Sequence, residues 1–314
     1  MERELISKSG SSGPVKPPSF IYHQGSAMAS KPKLGQNFLN DPQAAERIAA
    51  SLGDLSCRTV IEIGPGAGAI TGALVARAAH VLAVELDSGL AAYLRTQFPP
   101  GRVTVVEQNV LNFDFATALA GYAPASAAAG QRLLVFGNLP YGITSQILLK
   151  LAASHASLDR AVLMVQREVA DRIAAQPGSR DYGLLSVTVQ MYGPAENLFT
   201  LPPSAFSPPP DVYSTVFRWR FAPRFTELGV DEAGFLPFVR KAFAQKRKTL
   251  LNNLRAAGIP AASAAFALAR AGIDPLARAE VLPIEAFAAL YRNLQRDRPE
   301  TERAAPPSEA APSS

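Results

Sequence analysis

A tetrapeptide near the middle of the chain carries groups that could hold and activate an aromatic amine. Asn138, Leu139, Pro140 and Tyr141 directly follow an apolar segment with the character of a buried strand. The side-chain oxygen of Asn138 and the backbone carbonyl of Leu139 can each accept an N–H bond of an exocyclic amine such as N6 of adenine. Accepting both N–H bonds draws the nitrogen lone pair out of conjugation with the ring, which makes N6 a better nucleophile.

The other two residues of the tetrapeptide suit the same acceptor. Pro140 holds the residue before it in an extended conformation and adds no N–H group that would compete with the amine. Tyr141 offers a flat ring on which an extruded base can stack, a contact worth about 1–3 kcal/mol. An amine aimed in this way at a methyl group needs no strong general base, because position and electrostatics supply most of the rate. The alternative is a proline-stopped turn with a tyrosine that only packs.

A glycine-rich loop lies earlier in the chain, between a predicted strand and a predicted helix. The loop Gly64–Gly68 follows the strand-like segment 58–63. Its glycines allow backbone N–H groups and the helix N-terminus to approach a ligand closely. Glu85 ends the next predicted strand, where a carboxylate can accept both ribose hydroxyls of a nucleoside cofactor.

The charge ahead of this loop distinguishes between cofactors. Gly64, Gly66 and Ala69 also fit the G-x-G-x-x-A fingerprint of dinucleotide-binding proteins, so an NAD or FAD enzyme stays open on the loop alone. Glu62 would repel a pyrophosphate and attract a sulfonium or ammonium group. A cationic methyl donor is therefore favoured. The alternative is that the loop binds no ligand and needs its glycines only for packing.

The surrounding pattern predicts a parallel α/β sheet followed by a small helical domain, because strand-like and helix-like segments alternate up to about residue 182. Asp41 is a good N-cap for a first helix with Pro42 at its first position. A hairpin of 195–201 with 212–219 comes next, and from residue 231 onward the pattern is helical only. The predicted strands are 58–63, 80–85, 102–107, 132–137 and 159–165, and the predicted helices are 70–79, 88–97, 144–154 and 168–175.

Composition narrows the class of protein. The chain has 314 residues, of which 48% are hydrophobic and 18% charged, as in ordinary soluble proteins. No apolar run reaches the roughly 18 residues of a membrane span, and no signal-peptide core precedes the domain, so a cytoplasmic location is expected. The single Cys57 excludes a disulfide framework and a cysteine metal cluster, and no metal site is expected. Residues 1–33 and 297–314 are predicted to be disordered.

The net charge of +5 favours an anionic partner, and six of the basic residues fall within 16 residues of helical pattern. A phosphate-binding helix face is the functional interpretation, and a merely solvated helix is the alternative. The six candidate RNA-binding residues are Arg240, Lys241, Lys246, Arg247, Lys248 and Arg255.

Six motifs in matching order and spacing resemble the ribosomal RNA adenine N6,N6-dimethyltransferases of the KsgA/RsmA type, over about residues 33–295. The motifs lie at 34–39 (LGQNFL), 62–68, 85–87, 138–141, 202–210 and 242–250. The resemblance implies a Rossmann-like, seven-stranded class I methyltransferase domain at 34–222 and a helical RNA-binding domain at 223–296. It also implies S-adenosyl-L-methionine as cofactor, and dimethylation of two adjacent adenosines near the 3′ end of 16S rRNA in a pre-30S particle. A monomer is the default expectation for the oligomeric state.

The resemblance also assigns site residues. It implies Phe206 as a second aromatic ring that sandwiches the target base with Tyr141. Asn109 departs from the aspartate usual in the family; its amide oxygen still accepts a hydrogen bond from the cofactor's adenine amine, but without charge assistance, so modestly weaker cofactor binding is expected. The cofactor contacts implied are Gln36, Asn37, Leu39, Glu62, Gly64, Gly66, Gly68, Glu85, Leu86, Asn109, Val110 and Asn138.

Three related functions are alternatives. A 23S rRNA adenine N6-methyltransferase of the macrolide-resistance type is the closest, but the opening 34–39 and the long helical C-terminal region favour the small subunit. A DNA adenine methyltransferase usually continues its tetrapeptide with two prolines. A non-catalytic nucleic-acid-binding relative, such as a mitochondrial transcription factor, is disfavoured by the intact Glu85, Asn138 and Tyr141.

Overall fold

The structure, a computed structural model, describes residues 37–123 and 130–296. Nine strands lie within these ranges: β1 Phe38–Leu39, β2 Thr59–Ile63, β3 His80–Glu85, β4 Val103–Glu107, β5 Leu133–Asn138, β6 Leu158–Gln166, β7 Ala195–Leu201, β8 Phe206–Ser207 and β9 Ser214–Arg220. Seven of them form one sheet in the order β4-β3-β2-β5-β6-β9-β7, and β1 pairs separately with β8. The seven-stranded sheet that the sequence predicts is confirmed.

The central strands of the sheet are buried on both faces. Strands β2 to β6 run parallel, and β9 and β7 close one edge antiparallel to them. All five residues of β2 are buried, as expected for a central parallel strand rich in β-branched residues. Chain order reverses between β2 and β5, and ligands bind at such a switch point, beyond the carboxyl ends of the strands.

Helices pack on the sheet, and the elements described after β9 are all helical. The Asp41 carboxylate accepts hydrogen bonds from the backbone N–H groups of Gln43 and Ala44, so it caps the first helix as predicted. The helices are α1 Pro42–Ser51, α2 Thr71–Val75, α3 Ser88–Gln97, α4 Phe115–Tyr122, α5 Thr144–Ala153, α6 Arg167–Ala174, α7 Leu184–Met191, α8 Phe225–Leu228, α9 Glu232–Ala242, α10 Leu250–Ala256, α11 Ala261–Arg270 and α12 Ile284–Arg296. Three of them, α4, α7 and the short α8, were not predicted, and α2 is only half as long as the predicted helix at 70–79.

The predicted basic helix is wrong. Helix α9 ends at Ala242 and α10 begins at Leu250, so a loop at 243–249 interrupts the helical pattern. The buried Asn253 amide holds this loop: its Nδ2 donates to the Ala242 carbonyl (2.9 Å) and the Gln245 carbonyl (3.2 Å), and its Oδ1 accepts from the Gln245 N–H (3.1 Å). Thr249 then caps α10. Lys246, Arg247 and Lys248 therefore lie on a loop.

Buried apolar side chains form two clusters. One cluster joins sheet residues such as Val135 and Leu163 to C-terminal residues such as Phe235 and Phe287, and Trp219 on β9 belongs to it. The other packs α1 and part of α2 against strands β2, β3 and β6. The C-terminal helices thus share a continuous core with the sheet, while the predicted domain boundary at 222/223 stays a prediction. The predicted disordered ends, 1–33 and 297–314, lie outside the described residues, and none of the helices described is long and apolar enough to cross a membrane.

Candidate active site

The glycine loop and the tetrapeptide meet at the switch point of the sheet. Strands β2 and β5 are paired with Ile63 opposite Gly137, so Gly64 and Asn138 follow side by side. A Cβ atom added to Gly64 would lie 4.0 Å from the Asn138 carbonyl oxygen. The structure therefore brings together the two motifs that the sequence analysis assigned to cofactor and acceptor.

Two glycines of the loop have no room for a side chain. Gly66 and Gly68 have φ of 58° and 86°, in the left-handed region that favours glycine. A Cβ atom on Gly66 would lie 2.8 Å from the Phe38 ring, and one on Gly68 would lie 2.9 Å from the Phe98 ring. The loop thus packs closely against Phe38 and Phe98, and of its three glycines only Gly64 is exposed.

Glu85 ties this loop to the start of α3. Its side chain is 2% exposed; Oε2 accepts from the Gly66 N–H (3.1 Å) and Oε1 accepts from the Asp87 N–H (2.9 Å). A carboxylate oxygen can accept more than one hydrogen bond, so both oxygens retain capacity for ribose hydroxyls. Asp87 was not predicted, although an N-cap two residues after a strand-ending acid is a signal that could have found it.

Glu62 is a second buried carboxyl at the base of the loop. It is 1% exposed, and its Oε2 accepts a hydrogen bond from the Thr71 hydroxyl at 2.6 Å. Burial, and to a lesser extent the negative charge of Glu85, raise the pKa of Glu62 to about 7, while the Thr71 hydrogen bond acts in the opposite direction. A cation bound nearby would favour the ionised form. Thr71 was missed because nothing local in the sequence marks it as a partner of Glu62.

The ends of β3 and β4 offer groups for an adenine ring. Leu86, just after β3, is 54% exposed. Asn109 follows the neighbouring β4, and its Oδ1 accepts from the Leu111 N–H (2.9 Å) as the cap of a short 3₁₀ helix. Val110 is buried. One lone pair of the Asn109 oxygen is thus engaged in the cap, and the second is left for a ligand amine.

Hydrogen bonds fix the backbone of the tetrapeptide, while the Tyr141 ring is partly exposed. The Asn138 Nδ2 donates to the Asn37 carbonyl (3.3 Å), which leaves Oδ1 out of that bond. The Leu139 N–H donates to the Met164 carbonyl (2.9 Å), and the Leu139 side chain is buried. The Pro140 carbonyl accepts from the Thr144 hydroxyl (3.0 Å). Tyr141 is 39% exposed, so its ring is available to a base.

A short strap at 37–40 crosses this site. It pairs with β8, with Leu39 opposite Phe206, and the Asn40 N–H donates to the Ala205 carbonyl (2.9 Å). Phe206 is 3% exposed and belongs to the core, so its ring is covered in this structure. Its role as a second stacking ring stays a prediction that requires the surrounding segment to move. The predicted cofactor contact Gln36 lies outside the described residues.

The predicted RNA-binding side chains lie on α9, on the loop at 243–249 and on α10. All six are exposed, and none forms an ion pair with another residue that the structure describes. A cavity of about 630 Å³ separates the loop at 243–249 from α6, and Arg172, Arg180, Lys246 and Lys248 contribute to its lining. Arg172 and Arg180 were not predicted, because they are distant in sequence from the basic stretch. The residues described here bring no three His, Cys, Asp or Glu side chains together in a manner suited to a metal ion.

Comparisons with known proteins agree with this arrangement. The family model described as ribosomal RNA adenine dimethylase matches residues 27–296. The chain is 56% identical to ribosomal RNA small subunit methyltransferase A of Acidobacterium capsulatum, over 84% of this chain and 91% of the relative. It is 47% identical to the protein of the same name from Koribacter versatilis, over 89% of this chain and 99% of the relative.

Solved structures show the same fold at lower identity. A dimethyladenosine transferase from Plasmodium falciparum superposes with a TM-score of 0.70 at 21% identity, over 82% of this chain and 98% of the other. The 23S rRNA methyltransferase ErmE superposes with a TM-score of 0.61 at 24% identity, over 82% of this chain and all of the other. At these identities the likeness concerns the fold.

Proposed function

The chain belongs to the ribosomal RNA adenine dimethylase family, and from this premise we propose that it dimethylates N6 of two adjacent adenosines near the 3′ end of 16S rRNA. The methyl donor is S-adenosylmethionine, and the substrate is the assembling 30S subunit in the cytoplasm. The observation that carries the proposal is the adjacency of Gly64 and Asn138 at the switch point of the sheet, with Glu85 buried beside them.

The residues of the cleft fit the donor part by part. S-adenosylmethionine supplies an electrophilic methyl group on a sulfonium. Glu85 would accept hydrogen bonds from the ribose hydroxyls, and the exposed Leu86 would cover one face of the adenine. The Asn109 side-chain oxygen would accept a hydrogen bond from the adenine amine. The exposed Gly64 would lie against the methionine portion, and Glu62 would provide a carboxyl for its positive charge.

The tetrapeptide would hold the acceptor. Tyr141 stacks against the extruded adenine, while the Asn138 side-chain oxygen and the Leu139 carbonyl accept the two N6–H bonds. N6 becomes cationic as it gains the methyl carbon, and these two oxygens stabilise that charge until a proton leaves. The Asn138–Asn37 hydrogen bond orients the amide so that its oxygen, rather than its nitrogen, is offered to the amine.

Transfer of a tritiated methyl group tests this function. Small subunits from a strain that lacks the modification should be labelled, and nuclease digestion should release N6,N6-dimethyladenosine from two neighbouring positions. Large-subunit RNA and duplex DNA are the controls and should stay unlabelled. Label that enters only large-subunit RNA would assign the chain to the macrolide-resistance type of enzyme instead.

Substitution of Asn138 separates donor binding from chemistry. Asn138→Ala removes an acceptor used in the transition state, so turnover should fall by at least about 100-fold while S-adenosylmethionine affinity stays within about threefold. Asn138→Asp keeps the acceptor but loses the N–H bond to Asn37, and should retain more activity than the alanine variant. Calorimetry measures affinity and methyl transfer measures turnover. Parallel loss of both would make Asn138 a donor ligand only.

A further inference from the structure

A second exposed tyrosine lies at the same edge of the sheet as the tetrapeptide. In the register, Asn138 is opposite Met164 on β6, and Gln166 on β6 is opposite Ser214 on β9. Tyr213 directly precedes Ser214. With strands about 4.8 Å apart and a rise of about 3.3 Å per residue, Tyr213 starts about 10 Å across the sheet from Asn138 and about 10 Å further outward. It therefore stands on the rim of the acceptor site.

The backbone of Tyr213 is hydrogen-bonded to a neighbouring element, while its ring is largely exposed. Its carbonyl accepts a hydrogen bond from the Arg167 N–H at 2.9 Å, which fixes the backbone against the start of α6. The guanidinium carbon of Arg167 lies over the Tyr213 ring, 6.0 Å from its centroid. The residue is nevertheless 50% exposed. A guanidinium beside one ring face and solvent elsewhere leave a flat surface free for a further stacked group.

The local charge suits a base better than a phosphate. Arg167 is the cation at this rim, and its Nε lies 3.8 Å from the Asp171 carboxylate. Asp211, which is exposed, precedes Tyr213 by two residues. The Asp171 carboxylate beside the guanidinium, and the exposed Asp211 two residues from Tyr213 in the chain, weaken the attraction for a phosphate group. Stacking on an aromatic ring depends on the uncharged face of a base, so it is not opposed by these carboxylates.

We propose that Tyr213, backed by Arg167, is a stacking platform for the nucleobase that flanks the target adenine in the bound RNA. The inference rests on the proposed function. Extrusion of the target base onto Tyr141 removes the stacking partner of its neighbour in the strand. A second exposed ring on the same rim restores that stacking, and a purine gains more from it than a pyrimidine because its ring system is larger.

The platform acts on RNA affinity and not on the donor. Replacing Tyr213 by alanine should raise the KM for unmethylated small subunits about tenfold, equivalent to 1.4 kcal/mol. The KM for S-adenosylmethionine should not change, since the donor residues lie on the other side of Asn138. Tyr213→Phe keeps the ring and should behave as wild type.

Tyr122→Ala is the matched control. Tyr122 is 44% exposed and is the last residue of α4, which leads from the carboxyl end of β4 to the amino end of β5. It therefore lies toward the amino ends of the parallel strands, away from the acceptor site at their carboxyl ends. Loss of its ring should leave both KM values unchanged. Thermal melting of each variant establishes that it is folded.

A fluorescence measurement gives a second, direct readout of stacking. The probe is an unmethylated RNA hairpin with 2-aminopurine next to the target adenosine. Stacking on Tyr213 should quench its fluorescence on binding, and Tyr213→Ala should abolish that quenching.

The outcomes separate the two proposals. Wild-type protein that transfers no methyl group to small subunits overturns the proposed function. Active wild-type protein with a Tyr213→Ala variant within twofold of it, or without quenching of the probe, overturns the platform alone. A Tyr213→Phe variant as impaired as the alanine variant assigns the effect to the hydroxyl group and rejects stacking.

Discussion

Two buried carboxyls, Glu62 and Glu85, share the base of the cleft but differ in what donates to them. Glu85 accepts from two backbone N–H groups, whose positions the fold fixes. Glu62 accepts from the hydroxyl of Thr71, a side chain that can rotate. Burial of Glu62 beside another acid raises its pKa to about 7, so a proton resides there near neutral pH until a cation arrives.

The raised pKa of Glu62 predicts a pH dependence of stability. The folded chain keeps a proton on Glu62 between about pH 4.5 and about 7, where the unfolded chain loses it. The free energy of unfolding of the ligand-free protein should therefore fall as pH rises through that window, by about 3 kcal/mol at most, and then level off. Glu62→Gln carries no titrating proton and should remove this decline. Urea unfolding at several pH values measures it, and parallel profiles for the two proteins would contradict the assignment.

The chemistry of the site was more predictable from sequence than the contacts around it. Gly64 directly follows β2, and Glu85 and Asn138 are the last residues of β3 and β5. A parallel sheet places the carboxyl ends of its strands at one edge whatever the details of packing. The covered ring of Phe206 and the Thr71–Glu62 hydrogen bond depend on which segments pack together in three dimensions. No local pattern encodes that choice.

Among the elements, the basic loop at 243–249 was the clearest misprediction. Hydrophobic spacing continued across it, but Thr249 and Asn253 offer side-chain hydrogen bonds that end one helix and begin the next. The three consecutive cations at 246–248 consequently project from a turn.

Charge reversal in this loop should change the salt dependence of RNA binding. Replacing Lys246, Arg247 and Lys248 by glutamate removes up to three phosphate contacts, so the slope of log affinity against log salt should decrease by about 2–3. Binding to small subunits across a salt series measures that slope. Arg270→Glu, at the exposed end of α11, is the control and should leave the slope nearly unchanged. A slope unaffected by the triple substitution would remove the loop from the interface.

Across the whole molecule, one apolar cluster links the sheet to the C-terminal helices. Phe287 on α12 is fully buried and its ring lies 5.5 Å from that of Phe243, while Trp219 in the sheet belongs to the same cluster. Sequence alternation predicts two domains but does not report how far their cores merge, because merging depends on side chains distant in sequence.

A merged core predicts cooperative unfolding. Phe287→Ala should lower the free energy of unfolding by about 3–5 kcal/mol. Trp219, the only tryptophan, reports on the sheet by fluorescence, and far-ultraviolet circular dichroism reports mainly on the helices. Both transitions should shift together to lower urea. A tryptophan transition that stays in place while the dichroism shifts would show that the two regions unfold separately.

The strand order bears on how two methyl groups are transferred in succession to one adenosine. Residues proposed to hold the donor follow β2, β3 and β4, whereas Tyr213 and Arg167 lie at β9 and β6, on the other flank of Asn138. Two methyl groups per adenosine require the spent donor to be exchanged between them. Because these two groups of residues lie on opposite sides of Asn138, we expect the spent donor to be exchanged while the nucleotide stays in place, so that one RNA encounter delivers both methyl groups to the same nitrogen.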